Sequence, residues 1–179
     1  MFVEKFEFFT YICAGRQLSN NLFPHLSYRR PVKITFMENQ SQFRSIIPIQ
    51  VRFSDVDMLG HVSNTVYQNY YDAGKLHYFD EVLPEMDFIN IGVVGAMIKI
   101  DYLKPIFMRT SILVETHVTH VGTKSLTMEH QLVEEHTGEL LSTCLVVLVC
   151  YDIKGQKSIP IPEQWKEQIR RYDREVILK

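Results

Sequence analysis

Two carboxylates, a glycine and an imidazole lie close together in the segment from Val51 to Asn64. Asp55 and Asp57 come first, and Gly60 and His61 follow within a few residues. A carboxylate or an imidazole can take a proton from water, and an aspartate can also attack a carbonyl carbon directly. This segment therefore predicts acid–base or nucleophilic chemistry.

The residues on either side predict that this segment joins a strand to a helix. Upstream, apolar and polar side chains alternate over residues 47–54, which is the pattern of a half-buried strand. Asp55 and Asp57 are therefore expected at the end of a strand. Downstream, apolar and aromatic side chains recur at helical spacing over about residues 64–82. Ser63 precedes them, and its hydroxyl is expected to cap the helix.

Composition restricts the class of protein. The chain has 179 residues, of which 46% are hydrophobic and 22% charged, and this favours one globular domain with an extension. A formal net charge of -2 gives no general reason to bind nucleic acid or an anionic membrane. Cys13, Cys144 and Cys150 have no metal-binding spacing and are widely separated, which favours a reducing compartment. We expect a cytoplasmic protein without a membrane span.

The chain divides into an extension and a domain. Residues 1–44 show neither a helical nor a strand period, so we interpret them as an N-terminal extension, with Met37 as a possible true start. The domain is predicted over residues 45–179. Glu4, Lys5 and Glu7 interrupt any apolar core of a signal peptide near the N-terminus.

After the long helix, the pattern predicts four strands and a short final helix. The strands are expected over residues 94–102, 112–118, 126–132 and 141–151, with turns at Gly122 and Gly138. Pro162 is expected in a favourable first-turn position of the last helix. Gly74 lies inside the long helix, where it costs about 1 kcal/mol relative to alanine, so we expect close packing against the sheet or a ligand. The order indicates an α+β domain with an antiparallel sheet on one helix.

The motif residues carry a resemblance to a known family. Residues 54–57 and 60–64, together with the stretch from Tyr67 to Lys75, closely resemble hot-dog-fold acyl-CoA thioesterases of the 4-hydroxybenzoyl-CoA thioesterase type. They resemble the plant acyl-carrier-protein thioesterases more distantly. The similarity spans about residues 46–157. It implies the hot-dog fold, in which an antiparallel sheet wraps around a long central helix.

The resemblance implies roles for three catalytic residues. The position of Asp57 is that of the nucleophile or general base, and the backbone N–H of Asn64 polarises the thioester carbonyl. An amide at a helix N-terminus lacks an intrahelical partner and lies at the positive end of the helix dipole, which suits a developing oxyanion. His61 matches a histidine of the plant enzymes and is expected to assist. Asp55 competes with Asp57, but its earlier position favours backbone hydrogen bonds that hold the loop.

The same resemblance implies residues that bind the substrate. Gly60, Tyr67 and Asp72 belong to this set, and Asp72 is also the reserve base because another subfamily has its carboxylate on the central helix. Lys124 and Ser125 match a turn that in relatives often touches coenzyme A, where a cation and a hydroxyl can hold phosphate oxygens. No metal ligand is predicted.

The implied reaction is hydrolysis of an acyl-CoA or acyl-carrier-protein thioester, with no cofactor apart from the coenzyme A of the substrate. A homodimer or homotetramer is expected, because in the family both subunits complete the site. Two alternatives stay open. A hydratase or dehydratase of this fold would use Asp57 and His61, and a non-catalytic sensor would only bind acyl-CoA.

Overall fold

The computed structural model describes residues 42–87 and 89–178. The predicted extension over residues 1–44 lies outside the described residues except for its last three, and so does Met37.

The described chain contains two α-helices and seven strands, most of them where the sequence predicts them. A 3₁₀ turn, Phe53–Asp55, precedes the long helix. The other elements are β1 Ser45–Ile49, α1 Asn64–Val82, β2 Ile91–Tyr102, β3 Ile112–Val121, β4 Ser125–Glu134, β5 Leu140–Asp152, β6 Lys157–Ser158, α2 Glu163–Tyr172 and β7 Ile177–Leu178.

The strands form one sheet in the order β1-β3-β4-β5-β2. Neighbours in this order are antiparallel. The short strand β6 pairs with β5, and β7 pairs in parallel with the end of β3. Side chains of β4 and β5 alternate between buried and partly exposed along most of their length, because one face of each strand packs under the helix. The predicted architecture of one long helix on an antiparallel sheet is confirmed.

Helix α1 lies very close to β3 at Gly74. A Cβ atom at this position would lie 2.4 Å from Cγ1 of Val114 and 2.8 Å from Oγ1 of Thr116. Neither distance is compatible with a real side-chain contact. The expectation of close packing against the sheet is confirmed, and it explains a glycine in the middle of a helix.

One strand boundary predicted from the sequence is wrong. Strand β1 ends at Ile49 and residues 50–52 belong to neither a strand nor a helix. Phe53 begins the 3₁₀ turn and is 87% exposed. The carboxylate of Asp55 accepts a hydrogen bond of 2.8 Å from the backbone N–H of Arg52, which closes the chain into a turn. Asp57 therefore follows a tight turn and not the end of a strand.

The core consists of two clusters along α1. One surrounds Tyr78 and Phe79 near the end of the helix, and the other surrounds Tyr67 and Tyr71 near its start. Neither helix of the described residues is both long and apolar enough to cross a membrane.

Candidate active site

The loop that carries Asp57 is a narrow hairpin directly before helix α1. Val56 and Val62 pair as an antiparallel bridge, and the N–H of Asp57 donates to the carbonyl of His61 over 3.0 Å. Gly60 closes the turn with a φ of +83°, a conformation that glycine adopts without steric cost. The hairpin places Asp57 beside His61, three residues before the helix begins at Asn64.

The base of the hairpin is fixed on both sides. The N–H of Val62 donates to the carbonyl of Ile106 over 2.8 Å, and the Val62 side chain is only 1% exposed. The N–H of Ser63 donates to the carbonyl of Asp55, also over 2.8 Å. The buried base holds the position of the loop, while Asp57 and Gly60 lie at its exposed end.

Asp55 has the contacts of a residue that holds the loop. Its Oδ2 accepts hydrogen bonds from the hydroxyl of Tyr70 at 2.7 Å and from the N–H of Arg52 at 2.8 Å. The hydroxyl of Ser54 donates to its other oxygen over 3.4 Å. Both oxygens of Asp55 therefore already have partners in the protein.

Asp57 has one engaged oxygen and one without a hydrogen bond. Its Oδ1 accepts the N–H of Leu59 over 2.8 Å, whereas Oδ2 lies 4.0 Å from Nδ1 of His61. That separation exceeds a hydrogen bond but leaves the two groups close enough for one to affect the other electrostatically. Among the described residues, nothing donates a hydrogen bond to Oδ2. This oxygen is therefore able to accept a proton from water.

The N-terminus of α1 has no side-chain cap. Ser63 occupies the N-cap position as predicted, but its hydroxyl lies 3.2 Å from the hydroxyl of Thr65 and caps no backbone amide. The predicted capping bond is therefore wrong. The first-turn amides, including that of Asn64, are not bonded by this cap and lie at the positive end of the helix dipole. The hydroxyl of Tyr102 donates to the carbonyl of Asn64 over 3.1 Å, which joins the helix start to the end of β2.

Tyr67 and Asp72 both lie on α1 but in different surroundings. Tyr67 is 3% exposed and packs edge-to-face on Tyr102, with ring centroids 4.9 Å apart. Burial raises its pKa. Asp72 forms an ion pair with Lys75, with 2.5 Å between Oδ1 and Nζ. It lies eight residues after Asn64, which corresponds to about 12 Å along the helix axis.

The pair of Asp72 and Lys75 lies near buried groups on the sheet. Burial raises the pKa of the Cys144 thiol to about 12, and the Asp72 carboxylate adds to this effect. Burial lowers the pKa of His130 to about 3, and the Lys75 ammonium adds to that shift. Asp72 therefore belongs to a polar cluster under the helix, separate from the hairpin of Asp57.

Lys124 and Ser125 lie at the turn between β3 and β4. The ammonium of Lys124 donates to the carbonyl of Ser158 over 3.3 Å. Strand β3 begins beside the end of β1, where Ile112 pairs with Ile49, and it reaches this turn after ten residues. Ten strand residues span about 30 Å. Within one chain, the structure does not bring Lys124 and Ser125 together with Asp57.

Two tyrosines of the site were not assigned a role from the sequence. Tyr70 holds Asp55, and Tyr102 contacts both Tyr67 and Asn64. Their helical and strand positions are visible in the sequence, but their partners depend on tertiary packing. Among the described residues, no group of three or more His, Cys, Asp or Glu side chains is placed to hold a metal ion.

Several known proteins resemble this chain in sequence and structure. A thioesterase from Thermus thermophilus, solved with coenzyme A and zinc, is 31% identical with a TM-score of 0.66, and the match covers 76% of this chain and 99% of that one. The long-chain acyl-CoA thioesterase FadM of Escherichia coli is 22% identical over 69% of this chain and 95% of its own length. The Bacillus subtilis protein YsmA is 27% identical over 77% of this chain and 93% of its own.

The solved relatives confirm the predicted hot-dog fold. The family model of the thioesterase-like superfamily matches residues 51–169, which is well over half of the chain and includes the hairpin, the long helix and the sheet from β2 to β5. The chain therefore belongs to the thioesterase-like superfamily.

Proposed function

We propose that this protein hydrolyses acyl-CoA thioesters to a free acid and a thiol, with Asp57 as the reacting carboxylate. The observation that carries the proposal is the free Oδ2 of Asp57 on a rigid hairpin at the uncapped N-terminus of α1. The names of FadM and of the Thermus thermophilus relative, which was solved with coenzyme A, support an acyl-CoA substrate.

Each group has a distinct proposed role. As general base, Asp57 takes a proton from water while the water oxygen attacks the thioester carbonyl carbon. As nucleophile, it attacks that carbon itself, and water then cleaves the resulting anhydride. In both cases the carbonyl oxygen becomes an oxyanion, which accepts a hydrogen bond from the N–H of Asn64. The thiolate of coenzyme A then leaves and is protonated. His61 stabilises the charge changes at Asp57 over the 4.0 Å between them.

The free edge of β2 supports a homodimer. This strand has twelve residues and pairs only with β5 among the described strands, and its apolar side chains are largely exposed. Val94, Met97, Ile98 and Tyr102 have between 42% and 45% of their surface accessible. A long apolar edge strand is a strong site for pairing with another chain. We therefore propose that two copies pair along β2.

A dimer or tetramer would also account for the distance between the two predicted parts of the site. Lys124 and Ser125 of one subunit would bind the phosphates of coenzyme A while Asp57 of another subunit acts on the thioester. Gly60, on the Asp57 hairpin, would contact the acyl group. Tyr67 is only 3% exposed and Asp72 is paired with Lys75, so their contacts with the substrate stay predictions. An acyl carrier protein would be an alternative carrier. The reaction requires no cofactor beyond the substrate's own coenzyme A. The free, buried thiols of Cys144 and Cys150 suit a cytoplasmic location.

The test is thiol release from a panel of acyl-CoA substrates by the wild-type protein, Asp57→Asn and Asp72→Asn. We expect release by the wild type and by Asp72→Asn, and a loss of at least about 10²-fold in kcat for Asp57→Asn. If Asp72→Asn released no thiol while Asp57→Asn stayed active, Asp72 on α1 would be the catalytic carboxylate in place of Asp57.

The panel includes crotonyl-CoA to separate the alternatives. The proximity of Asp57 and His61 also suits proton transfer across a double bond, as in a hydratase. Hydration removes the conjugated absorbance of crotonyl-CoA without releasing thiol, whereas hydrolysis releases thiol. Binding of acyl-CoA without either reaction would identify a sensor.

A further inference from the structure

A segment that follows β2 lies directly beside the Asp57 hairpin. The N–H of Val62 donates to the carbonyl of Ile106 over 2.8 Å, and His61 and Phe107 are opposite each other in an isolated antiparallel bridge. The two arms of the hairpin and this segment therefore form a small ribbon of three paired chain segments.

One face of this ribbon carries Asp57, His61 and Phe107 in a row. Residues opposite each other in an antiparallel bridge have their side chains on the same face, with Cβ atoms about 4.5–5.5 Å apart. His61 and Phe107 are such a pair, and Nδ1 of His61 lies 4.0 Å from Oδ2 of Asp57 on its other side. Val62 and Ile106, which are their neighbours in sequence, are 1% and 0% exposed. Since side chains alternate between the faces, the row lies on the accessible face.

The backbone of Phe107 is fixed although its side chain is 53% exposed. Its N–H donates to Oγ1 of Thr110 over 3.1 Å, and its carbonyl accepts the N–H of Thr110 over 3.0 Å. Single exposed apolar residues are common on protein surfaces, so exposure alone carries no conclusion. The place of Phe107 in the row does, because an apolar group covering the ring would lie beside the carboxylate of Asp57.

The row also limits how long a group must be to reach from Asp57 to Phe107. Two cross-strand steps separate these residues, which corresponds to about 10 Å between their Cβ atoms. An octanoyl chain extends about 9 Å from its carbonyl carbon, since each C–C bond of about 1.5 Å adds about 1.25 Å along an extended chain. An acetyl group ends at the first carbon and does not reach the ring.

We propose that Phe107 is a specificity-determining residue, whose ring contacts an apolar acyl chain of about eight carbons or more. The carbonyl carbon lies at Asp57, and the chain crosses the face of the ribbon past His61 to the ring. This role rests on the proposed hydrolysis for the position of the carbonyl carbon. It deepens that function by naming the substrate class as medium- or long-chain fatty acyl thioesters.

The first test compares thiol release from octanoyl-CoA and acetyl-CoA by the wild type, Phe107→Ala, Phe107→Leu and Met58→Ala. We expect the ratio of kcat/KM for octanoyl-CoA to that for acetyl-CoA to fall by about fivefold or more in Phe107→Ala, because the chain loses its apolar contact. Phe107→Leu keeps an apolar group at this position and should restore most of the ratio. Met58→Ala is the matched control, since Met58 is fully exposed next to Asp57 but outside the row, and it should keep the wild-type ratio.

Binding of thioether analogues separates the role of Phe107 from hydrolysis. S-octyl-coenzyme A and S-methyl-coenzyme A have no carbonyl and are not hydrolysed, so isothermal titration calorimetry gives their Kd directly. We expect the wild type to bind the octyl analogue more tightly than the methyl analogue, and Phe107→Ala to reduce the ratio of the two Kd values by about fivefold or more. If this result is obtained while no thioester is cleaved, the proposed hydrolysis is wrong and the contact of Phe107 with the chain stands.

Three results would overturn the role of Phe107, whether or not the protein hydrolyses thioesters. The first is a preference for the octyl over the methyl analogue that is absent in the wild type or unchanged in Phe107→Ala. The second is an equal loss of preference in Met58→Ala, which would place the chain over the tip of the hairpin. The third is a change of oligomeric state in Phe107→Ala during sedimentation, which would make Phe107 a contact between subunits.

Discussion

The hydroxyl of Tyr70 donates a 2.7 Å hydrogen bond to Oδ2 of Asp55. This contact joins the second turn of helix α1 to the 3₁₀ turn that precedes the hairpin. Burial and the Asp55 carboxylate both raise the pKa of Tyr70, so the hydroxyl keeps its proton at neutral pH and acts as a stable donor. The contact gives the two aspartates of the motif different functions: Asp55 fixes the loop, and Asp57 is left with a free oxygen.

Replacing Tyr70 with phenylalanine is expected to destabilise the fold. Tyr70→Phe leaves the Asp55 carboxylate with one donor fewer, and we expect the free energy of unfolding in urea to fall by about 1–3 kcal/mol. Tyr102→Phe is the matched control, because it removes a hydroxyl that bonds to the exposed carbonyl of Asn64. Its expected cost is smaller, since water replaces the lost donor. An equal loss of unfolding free energy in both variants would mean that the hydrogen bond from Tyr70 to Asp55 stabilises the fold no more than the exposed one from Tyr102.

The sequence predicted the helix and most of the sheet because their signals are local. The bounds of α1 are predicted by apolar side chains that recur at helical spacing over about five helical turns. The hairpin turns at Gly122 and Gly138 are predicted because each is a glycine between two strand patterns. Strand β1 was predicted too long because alternation continued through Phe53, whereas the hydrogen bonds of Asp55 close the chain into a turn there. The hydrogen bond between Asp55 and Tyr70 depends on tertiary packing, so the sequence pattern does not predict it.

The relation between Asp57 and Lys124 could not be predicted from spacing for a similar reason. Their separation depends on the direction of β3 relative to the hairpin, and that direction is fixed by pairing between strands distant in sequence. The contact of Asp173 with the backbone of Val118 cannot be predicted from the sequence either, because it depends on a carboxylate filling a gap between two strands, which no periodic pattern indicates.

Substituting Gly74 tests the closest contact between helix and sheet. Gly74→Ala would place a methyl group 2.4 Å from Cγ1 of Val114, so the helix or the strand must move. The helix gains about 1 kcal/mol in propensity, but overpacking costs typically about 1–3 kcal/mol, and we expect net destabilisation in chemical denaturation. Gly122→Ala, away from β2, is the control, since its added Cβ would lie no closer than 3.4 Å to Ser125, the limit of ordinary contact.

A double variant separates a steric clash from other causes. Val114→Ala removes the atoms that the new methyl group would meet, although it leaves a cavity of its own. If the clash is the cause, Gly74→Ala should cost less in the Val114→Ala background than in the wild type. Additive costs would show that the contact with Val114 is not what excludes a side chain at position 74.

The buried imidazole of His130 is expected to make stability depend on pH. It is 2% exposed, with Nδ1 2.9 Å from the hydroxyl of Thr116, and burial lowers its pKa to about 3. In the unfolded chain, a histidine has a pKa of about 6.5. Below that pH the unfolded chain binds a proton on His130, whereas the native state keeps the imidazole neutral. Stability from this group is therefore complete above about pH 6.5 and falls as the pH drops toward 3, by at most about 1.4 kcal/mol per pH unit.

The pH effect of His130 is measured as a difference between proteins. Burial raises the pKa of Asp173, which acts in the opposite direction, so the wild-type curve alone mixes the two groups. His130→Gln should flatten the decrease in urea-unfolding free energy between pH 6.5 and the acid limit. His136→Gln, on the exposed turn between β4 and β5, should keep the wild-type slope. A slope unchanged by His130→Gln would contradict the assignment.

The edge of β2 provides a test of the proposed dimer. Ile98 is 42% exposed on an edge strand that would pair with its copy in the dimer. Ile98→Lys would bring two like charges together at the interface, because a symmetric interface doubles every substitution. We expect analytical ultracentrifugation to show a dimer for the wild type and a monomer for this variant, with thiol release reduced by at least about tenfold.

The control for this prediction is an equally exposed apolar residue on a different element. Leu76 on α1 is 52% exposed, and Leu76→Lys introduces the same charge away from β2. This variant should keep both the dimer and the activity. Loss of activity in a variant that is still dimeric would place Ile98 at the acyl group itself. A monomeric but fully active wild type would refute pairing along β2. Lys124 and Ser125, which follow the far end of a strand about 30 Å long, would then not reach a thioester at the Asp57 hairpin of the same chain.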